Sequence, residues 1–357
     1  MGLINGYLCY LESAGYDCGL STLVRVIGDW DCEVVELKMS DFKYIFLVGA
    51  PKSGTTALVE WLGRHPDIFT MPGKEPGFFR TKTDRFVLDA HRPDEMQFIP
   101  LDHPMRSETA YRALAENARC GQWLLDGSTD YLSDEGAPER IRDFTEGREV
   151  RVVCILRDPI ERAYSEYRHA RRDGLEPLSF RASIDAEAAR IAEGYQPLFF
   201  HLRRSRYYRD LARYITTFGE ERVLILDHAE FRTSPGTLAD QLCNFMDLSS
   251  FDFGVPNQLN LSEPPGLAKG RAVKYLRGRA KLAIKQLLGG RTTVDRTVAQ
   301  LSEADRRYVF EHLEDDIRAC MADPRISTNN WTSVTHFVST ETENCNQRIR
   351  RTDGSPV

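Results

Sequence analysis

Short apolar runs alternate with helical repeats along most of the chain. The apolar runs predict buried strands at residues 44–49, 122–126, 150–156 and 223–226. Between them, apolar residues recur at a spacing of three and four, which predicts helices. These helices span roughly 55–65, 107–119, 135–145, 160–172, 206–218, 237–246 and 303–321. Strands that alternate with helices favour a parallel sheet covered by helices, so the predicted fold class is α/β.

The first apolar run leads into a glycine-bounded loop that opens a helix. Gly49-x4-Gly54 matches the first half of a nucleotide-binding P-loop, in which backbone N–H groups and the helix dipole bind phosphate. A loop that cleaves ATP or GTP continues with Lys and then Ser or Thr. Here Thr55 and Thr56 follow instead, and Lys52 lies inside the loop. The pattern predicts a phosphate-bearing donor that is held without a dedicated magnesium ligand.

A second motif follows the strand 150–156. Arg157 comes directly after the strand, and Ser165 follows eight residues later. Together with Pro51-Lys52-Ser53-Gly54-Thr55-Thr56, this order resembles the sulfotransferases that use 3′-phosphoadenosine 5′-phosphosulfate (PAPS), in particular the bacterial-type and glycosaminoglycan N-/O-sulfotransferase domains. The resemblance covers roughly residues 42–331. It implies a P-loop-like parallel β-sheet flanked by helices.

The resemblance also implies a role for each motif residue. Lys52 is the expected catalytic cation beside the bridging oxygen of the donor, and Arg157 and Ser165 are the expected ligands of its 3′-phosphate. The 5′-phosphate is expected to contact Lys52, Ser53, Gly54, Thr55 and Thr56. No metal is expected. Arg162 and Arg168 lie on the same basic helix, and we expect both to be surface charges.

The acceptor must lose a proton as it attacks, which requires a base. The segment Gly73-Lys74-Glu75-Pro76-Gly77-Phe78-Phe79 resembles the segment that carries the catalytic glutamate in glycosaminoglycan-type enzymes, so Glu75 is the expected base. His65 is the rival, because other sulfotransferases use histidine. It lies where the family pattern ends its first helix, and we therefore expect a structural role.

Two further segments resemble the family. Lys269, Gly270 and Arg271 match the loop that closes over the 3′-phosphate, although the tyrosine that follows in the family is displaced here. Residues 127–131 match the acceptor-side segment without its lysine, so no second catalytic lysine is predicted. The stretches 80–110 and 173–205 are expected to form the acceptor pocket. Their aromatic residues are expected to lie mainly in the core, namely Phe98, Tyr195, Phe199 and Phe200.

Composition limits the possible partners. The formal net charge of −6 over 357 residues argues against a general binder of nucleic acid. The chain contains no apolar run of about 18 residues, so no membrane span is predicted. Eight scattered cysteines suit reduced thiols, and the protein is expected to be cytoplasmic. The expected acceptor is a small molecule, a lipid or a carbohydrate.

The sequence thus predicts an extension over residues 1–38, a sulfotransferase domain over 39–331 and a disordered tail over 332–357. The predicted reaction is transfer of a sulfuryl group from PAPS to a hydroxyl or amine. A P-loop nucleotide or small-molecule kinase is the alternative enzyme. It is disfavoured because no Lys follows Gly54 and because no obvious apolar strand ends in a magnesium-binding Asp, since Arg157 occupies the position where such an acid is expected. A non-catalytic nucleotide-binding protein is the third possibility, and the presence of both Lys52 and Glu75 argues against it.

Overall fold

The computed structural model describes residues 21–26, 32–37, 42–73, 75–83, 85–257 and 300–338. The strands are β1 (Ser21–Val26), β2 (Cys32–Leu37), β3 (Lys43–Gly49), β4 (Ile68–Thr70), β5 (Arg85–Val87), β6 (Met96–Phe98), β7 (Trp123–Asp126), β8 (Val150–Leu156) and β9 (Val223–Asp227). The first two form an antiparallel pair within the predicted N-terminal extension. The four strands predicted from apolar runs are all confirmed.

Helices occupy most of the intervening segments. They are α1 (Thr55–Leu62), α2 (Glu108–Ala113), α3 (Ala137–Phe144), α4 (Pro159–Arg172), α5 (Phe180–Asp185), α6 (Glu187–Ala192), α7 (Tyr207–Phe218), α8 (His228–Thr233), α9 (Pro235–Phe245) and α10 (Glu303–Ala322). The predicted first helix is three residues too long, because Gly63 ends α1. The predicted helix 107–119 is also too long, because only α2 is helical within this range and turns follow it.

Five parallel strands form the central sheet in the order β4-β7-β3-β8-β9. The chain runs from β3 to one side of the sheet, through β4 and β7, and then returns to the other side at β8. The strand order therefore reverses between β3 and β8. Ligands of open parallel sheets bind at the carboxyl ends of the strands at this kind of reversal.

Both faces of the sheet are buried, and β3 shows this most clearly. Tyr44, Phe46 and Val48 pack into one core cluster, whereas Ile45 and Leu47 pack into the cluster on the opposite face. All five side chains are fully buried. Successive residues of a strand point to opposite faces, so a continuous apolar run suits a strand that is covered on both sides. The loop that follows β3 therefore starts from a rigid position.

The predicted disordered tail begins too early. Residues 332–338 are helical. Trp331, Val334 and Phe337 are buried in the main core, and the ring of Phe337 lies 5.2 Å from that of Phe310 on α10. Three apolar residues at a spacing of three present one face to the main core, and this burial outweighs the polar composition of the segment. Within the described segments, no helix is long and apolar enough to cross a membrane.

Candidate active site

The loop after β3 has the local structure of a phosphate site. Gly54 has a φ of 87° and caps α1. A Cβ at this position would lie 2.9 Å from Cδ2 of His228, so both the conformation and the available space require glycine. Ser53 is fully buried, and its Oγ has no hydrogen-bond partner among the described residues. A buried hydroxyl without a partner is costly unless a ligand bonds to it, and a phosphate oxygen at the loop fits this requirement.

The Arg157 element lies beside this loop. The backbone N–H of Ala50 donates to the carbonyl of Ile155 at 2.9 Å, which joins the end of β3 to the end of β8. Arg157 follows directly, and its side chain is about one third exposed, at 30%. Its carbonyl accepts a hydrogen bond from the hydroxyl of Tyr207 at 3.0 Å. The two predicted phosphate motifs therefore meet where the strand order reverses.

The helix that carries Ser165 begins immediately after Arg157. Asp158 is the N-cap of α4, and its Oδ1 accepts hydrogen bonds from the backbone N–H groups of Ile160 and Glu161. Pro159 occupies the first helical position, where its missing N–H costs nothing. Ser165 lies two turns into α4 and is half-buried. Arg157 therefore lies just before the capped start of α4, and Ser165 lies on the helix itself.

The segment that contains Glu75 is fastened to the chain that follows β7. The backbone N–H of Gly77 donates to Oγ of Ser128 at 2.9 Å, and that of Phe79 donates to the hydroxyl of Tyr131 at 3.3 Å. Tyr131 and Ser128 belong to the segment expected on the acceptor side. These bonds hold the Glu75 segment against that wall of the site.

Both predicted catalytic residues have unusual backbone conformations. The φ angle is 67° for Lys52 and 68° for Glu75. Among the described residues, Asp247 is the only other non-glycine residue with a positive φ. Such conformations cost free energy and occur preferentially at functional sites.

His169 lies near the predicted catalytic Lys52, and the sequence analysis did not single it out. It lies on α4 one turn beyond Ser165. Burial, followed by the positive charge of nearby Lys52, lowers the pKa of His169 to about 4. The imidazole is therefore neutral at pH 7. Its spacing of four residues from Ser165 was the available signal, because residues i and i+4 share a face of a helix.

A buried ionic cluster stands behind the Glu75 segment. The guanidinium of Arg204 donates to the carboxylates of Glu166 and Asp130. Burial alone would lower the pKa of Arg204, but the carboxylates of Glu166, Asp130 and Glu75 together raise it. Arg162 also pairs with Glu166, at 2.9 Å, and its side chain is fully buried. The prediction that Arg162 is a surface charge is wrong, because Glu166, a backbone carbonyl and a serine hydroxyl satisfy its guanidinium.

His228 was also missed. It begins α8 directly after β9, against Gly54 of the phosphate loop. Burial and then the positive charges of Arg157 and Arg232 lower the pKa of His228 to about 4. A neutral imidazole thus lies beside both phosphate motifs. No sequence signal marked it, because β9 lies far along the chain from either motif.

The other predicted residues have different outcomes. His65 is buried just after the end of α1, where its ring packs 4.9 Å from that of Phe251, in agreement with a structural role. Arg168 is exposed, as expected. Lys269, Gly270 and Arg271 lie outside the described residues. Among the aromatic residues, Tyr195 and Phe199 are buried and Phe200 is half-buried, whereas the prediction is wrong for Phe98, which is 72% exposed.

Two strands of the central sheet end in aspartate, which bears on the kinase alternative. Asp126 ends β7, next to β3, and is fully buried. Its Oδ2 accepts from the hydroxyls of Tyr111 and Tyr131 at 3.0 and 2.9 Å, and its Oδ1 accepts from Ser128. Asp227 ends β9 and also accepts hydrogen bonds within the protein. These carboxylates have structural partners, so their positions do not favour a magnesium site.

Comparison with known proteins decides the family. The model of the sulfotransferase family matches residues 44–252, which is more than half of the chain and includes both phosphate motifs and Glu75. The chain belongs to the sulfotransferase family. The crystal structure of a sulfotransferase from Alicyclobacillus acidocaldarius is similar to this sulfotransferase, with 26% identity, a TM-score of 0.60, and coverage of 81% of this chain and 98% of that one. The predicted P-loop-like parallel sheet is confirmed.

The curated relatives are much longer proteins. The mouse bifunctional heparan sulfate N-deacetylase/N-sulfotransferase 4 is 26% identical over 227 residues, or 61% of this sulfotransferase and 23% of the relative. The human bifunctional heparan sulfate N-deacetylase/N-sulfotransferase 2 is 26% identical over 216 residues, which are 57% of this sulfotransferase and 22% of the relative. The sulfotransferase described here therefore matches less than a quarter of the length of these relatives.

Proposed function

We propose that this sulfotransferase transfers a sulfuryl group from PAPS to a hydroxyl or amine of its acceptor. The observation that carries the proposal is the meeting of the phosphate loop and the Arg157 element at the reversal of strand order. PAPS has two phosphate groups on one ribose, and two adjacent anion sites suit it. The buried Oγ of Ser53, which has no hydrogen-bond partner in the part of the chain that the structure describes, supports a ligand at the first site.

Each motif has a part in holding the donor. Backbone N–H groups of the loop, with the side chains of Ser53, Thr55 and Thr56, are suited to the 5′-phosphate. The guanidinium of Arg157 and the hydroxyl of Ser165 are suited to the 3′-phosphate. By their resemblance to the family motif, Lys269, Gly270 and Arg271 are proposed to contribute to binding of the same phosphate. Bound PAPS supplies the sulfuryl group, which is activated as an anhydride with the 5′-phosphate.

Lys52 is proposed to stabilise the negative charge that develops during transfer. As the sulfuryl group departs, charge accumulates on the bridging oxygen of the leaving phosphate. A cation fixed near that oxygen lowers the barrier because it interacts more strongly with the transition state than with the ground state. The left-handed conformation of Lys52 holds its backbone inside the loop rather than in α1. His169 is neutral and close to Lys52, so it adds no competing positive charge.

Glu75 is proposed to accept the proton of the attacking hydroxyl or amine. A carboxylate serves this role while it is ionised, and a nearby positive charge favours the ionised form. Arg204 interacts electrostatically with Glu75 and is itself fixed by Glu166 and Asp130. Arg80 also pairs with Asp130, at 2.9 Å. Two arginines therefore border the segment from which the proposed base projects.

Calorimetric titration tests the donor specificity. The full chain is titrated with 3′-phosphoadenosine 5′-phosphate (PAP), 5′-AMP, and ATP with Mg²⁺. We expect PAP to bind much more tightly than 5′-AMP, because the two differ only in the 3′-phosphate. Preference for ATP with Mg²⁺ would contradict the proposal and favour the kinase. Tight binding of PAP without turnover of PAPS on any acceptor would favour a non-catalytic nucleotide-binding protein.

The acceptor screen follows from the relatives. Their names describe N-sulfotransferases that act on heparan sulfate, so carbohydrate amines are the first acceptors to test here. Small-molecule and lipid alcohols form the second set. Sulfation is detected by mass spectrometry as addition of one SO₃ group, with formation of PAP as an independent measure of turnover.

A further inference from the structure

Glu161 lies on the surface of α4 that is proposed to face the 3′-phosphate. It lies four residues before Ser165 on the same face of α4 and four residues after Arg157, which precedes the helix. A carboxylate between two phosphate ligands repels the phosphate unless another group compensates its charge. The surroundings of Glu161 therefore bear directly on donor binding.

Arg306 supplies a compensating charge from a distant part of the chain. Its Nη1 donates to Oε1 of Glu161 and, at 2.5 Å, to Oγ of Ser333. Ser333 donates in turn to Oε1 of Glu161 at 3.1 Å, and its backbone N–H donates to Asp158 at 2.9 Å. The first turn of α4 is thereby tied to α10 and to the helical residues 332–338. A cleft of about 360 Å³ opens beside this contact.

Arg157 also lies near the carboxylate of Glu161. Its Nη2 lies 3.8 Å from Oε2 of Glu161, longer than a hydrogen bond and weaker than the contact with Arg306. The side chains of Glu161 and Arg306 are both about one quarter exposed, at 28%. Within the described segments, Glu161 therefore has one strong cationic partner and one weak one. If Arg306 were removed, the carboxylate of Glu161 would draw the guanidinium of Arg157 toward itself and away from the donor.

We propose that Arg306 is a positioning residue of the 3′-phosphate site. It neutralises Glu161 and holds it toward α10, so that the guanidinium of Arg157 is available to the donor. The inference rests on the proposed function, since it assumes that Arg157 binds the 3′-phosphate of PAPS. It goes further, because it gives the C-terminal helices a part in donor recognition and assigns that part to a residue outside the phosphate motifs.

The test compares PAP with 5′-AMP by calorimetry on the full chain. In Arg306→Met, we expect the Kd for PAP to rise about tenfold, while the Kd for 5′-AMP stays within about twofold of wild type. Arg318→Met is the matched control, because Arg318 is an exposed residue of the same helix that pairs with Glu314. It should leave both Kd values unchanged. Thermal unfolding of each variant verifies that it is folded.

The double variant Arg306→Met/Glu161→Gln gives the sharper result. If Arg306 acts by neutralising Glu161, removal of the negative charge should restore most of the affinity for PAP. With saturating PAPS, kcat should remain near wild type in all these variants, and only the KM for PAPS should change.

Three outcomes would overturn the inference alone: an unchanged Kd for PAP in Arg306→Met, equal weakening of PAP and 5′-AMP, or no recovery in the double variant. Absence of any preference for PAP in the wild-type protein would instead overturn the proposed function and, with it, this inference.

Discussion

Arg204 donates a hydrogen bond to Asp130 through one terminal nitrogen and to Glu166 through the other. Its side chain is only 5% exposed. The contact connects the turn before α7 with the segment after β7 and with α4. Because the Glu75 segment is fastened to Ser128 and Tyr131 of the same segment after β7, Arg204 stabilises the wall of the site from which the proposed base projects.

Replacement of Arg204 tests this structural role. Arg204→Met leaves the buried Glu166 with one arginine partner fewer. Of the described residues, only Arg80 then remains as a cationic partner of Asp130. We expect the free energy of unfolding to fall by about 3–5 kcal/mol, as when one partner of a buried ion pair is removed. Urea unfolding measures the change. Arg209→Met removes an exposed partner of Glu135 and should cost less than about 1 kcal/mol. Similar losses in the two variants would contradict the role of Arg204.

The same cluster predicts a dependence of stability on pH. Burial raises the pKa of Glu166, but the charges of Arg162 and Arg204 outweigh burial and lower it to about 2, from an ordinary value of 4.5. A carboxylate whose pKa is lower in the folded state stabilises the fold above its unfolded pKa. This contribution is lost as the pH falls from about 4.5 toward about 2. The lowered pKa of Glu166 contributes about 3 kcal/mol to the free energy of unfolding.

Urea unfolding at several pH values between 5 and 2 checks this prediction. The control is Glu166→Gln, which cannot titrate at this position, so its stability should fall less steeply over the same interval. Parallel loss of stability in the two proteins would show that other carboxylates account for the acid transition.

Some of the site was predictable because its residues are contiguous. The phosphate loop runs from Gly49 to Thr56, and Arg157 follows its own strand, so an apolar run and a short motif were sufficient for each. The contacts of Arg204 and Arg306 were not predictable. Arg204 meets Asp130 across 74 residues, and Arg306 meets Glu161 across 145 residues. No local pattern pairs one arginine with one carboxylate over such distances.

Arg162 illustrates a different limit. A basic residue on a helix is usually solvated, and the prediction followed this rule. The structure satisfies its guanidinium with Glu166 one turn later, a carbonyl at His201 and a hydroxyl at Ser205. Of these three partners, only Glu166 is visible from the helical spacing. Burial of a charged residue depends on the complete set of partners, and most of that set comes from the packing of distant segments.

Lys52→Ala tests the proposed stabilisation of the leaving phosphate. We expect kcat to fall by about a hundredfold to a thousandfold, as when one preorganised stabilising group is removed. The rate of formation of sulfated product measures the effect. Lys43→Ala is the control, because Lys43 pairs with Glu149 at the start of β3, away from the carboxyl end of the strand. Unchanged turnover in Lys52→Ala would remove Lys52 from the mechanism.

Glu75→Gln tests the proposed base. The substitution preserves the shape of the side chain and removes its ability to accept the acceptor proton. We expect kcat to fall by about a hundredfold or more, while the Kd for PAP remains that of the wild type. Single-turnover kinetics with bound PAPS isolates the chemical step. Glu146→Gln, an exposed change after α3, serves as the control. A variant that lost affinity for PAP but kept its single-turnover rate would assign Glu75 to donor binding instead.

Arg157→Gln tests the ligand of the 3′-phosphate. The amide cannot form the paired, charge-assisted hydrogen bonds of a guanidinium, so we expect the Kd for PAP to rise by about tenfold to a hundredfold. The Kd for 5′-AMP should change little, because that ligand lacks the group that Arg157 contacts. Arg142→Gln, which removes an exposed partner of Asp143, controls for the loss of one positive charge. Calorimetry measures all four affinities. If Arg157→Gln weakened both nucleotides equally, Arg157 would stabilise the shape of the site rather than recognise the 3′-phosphate, because only a direct contact depends on that phosphate being present.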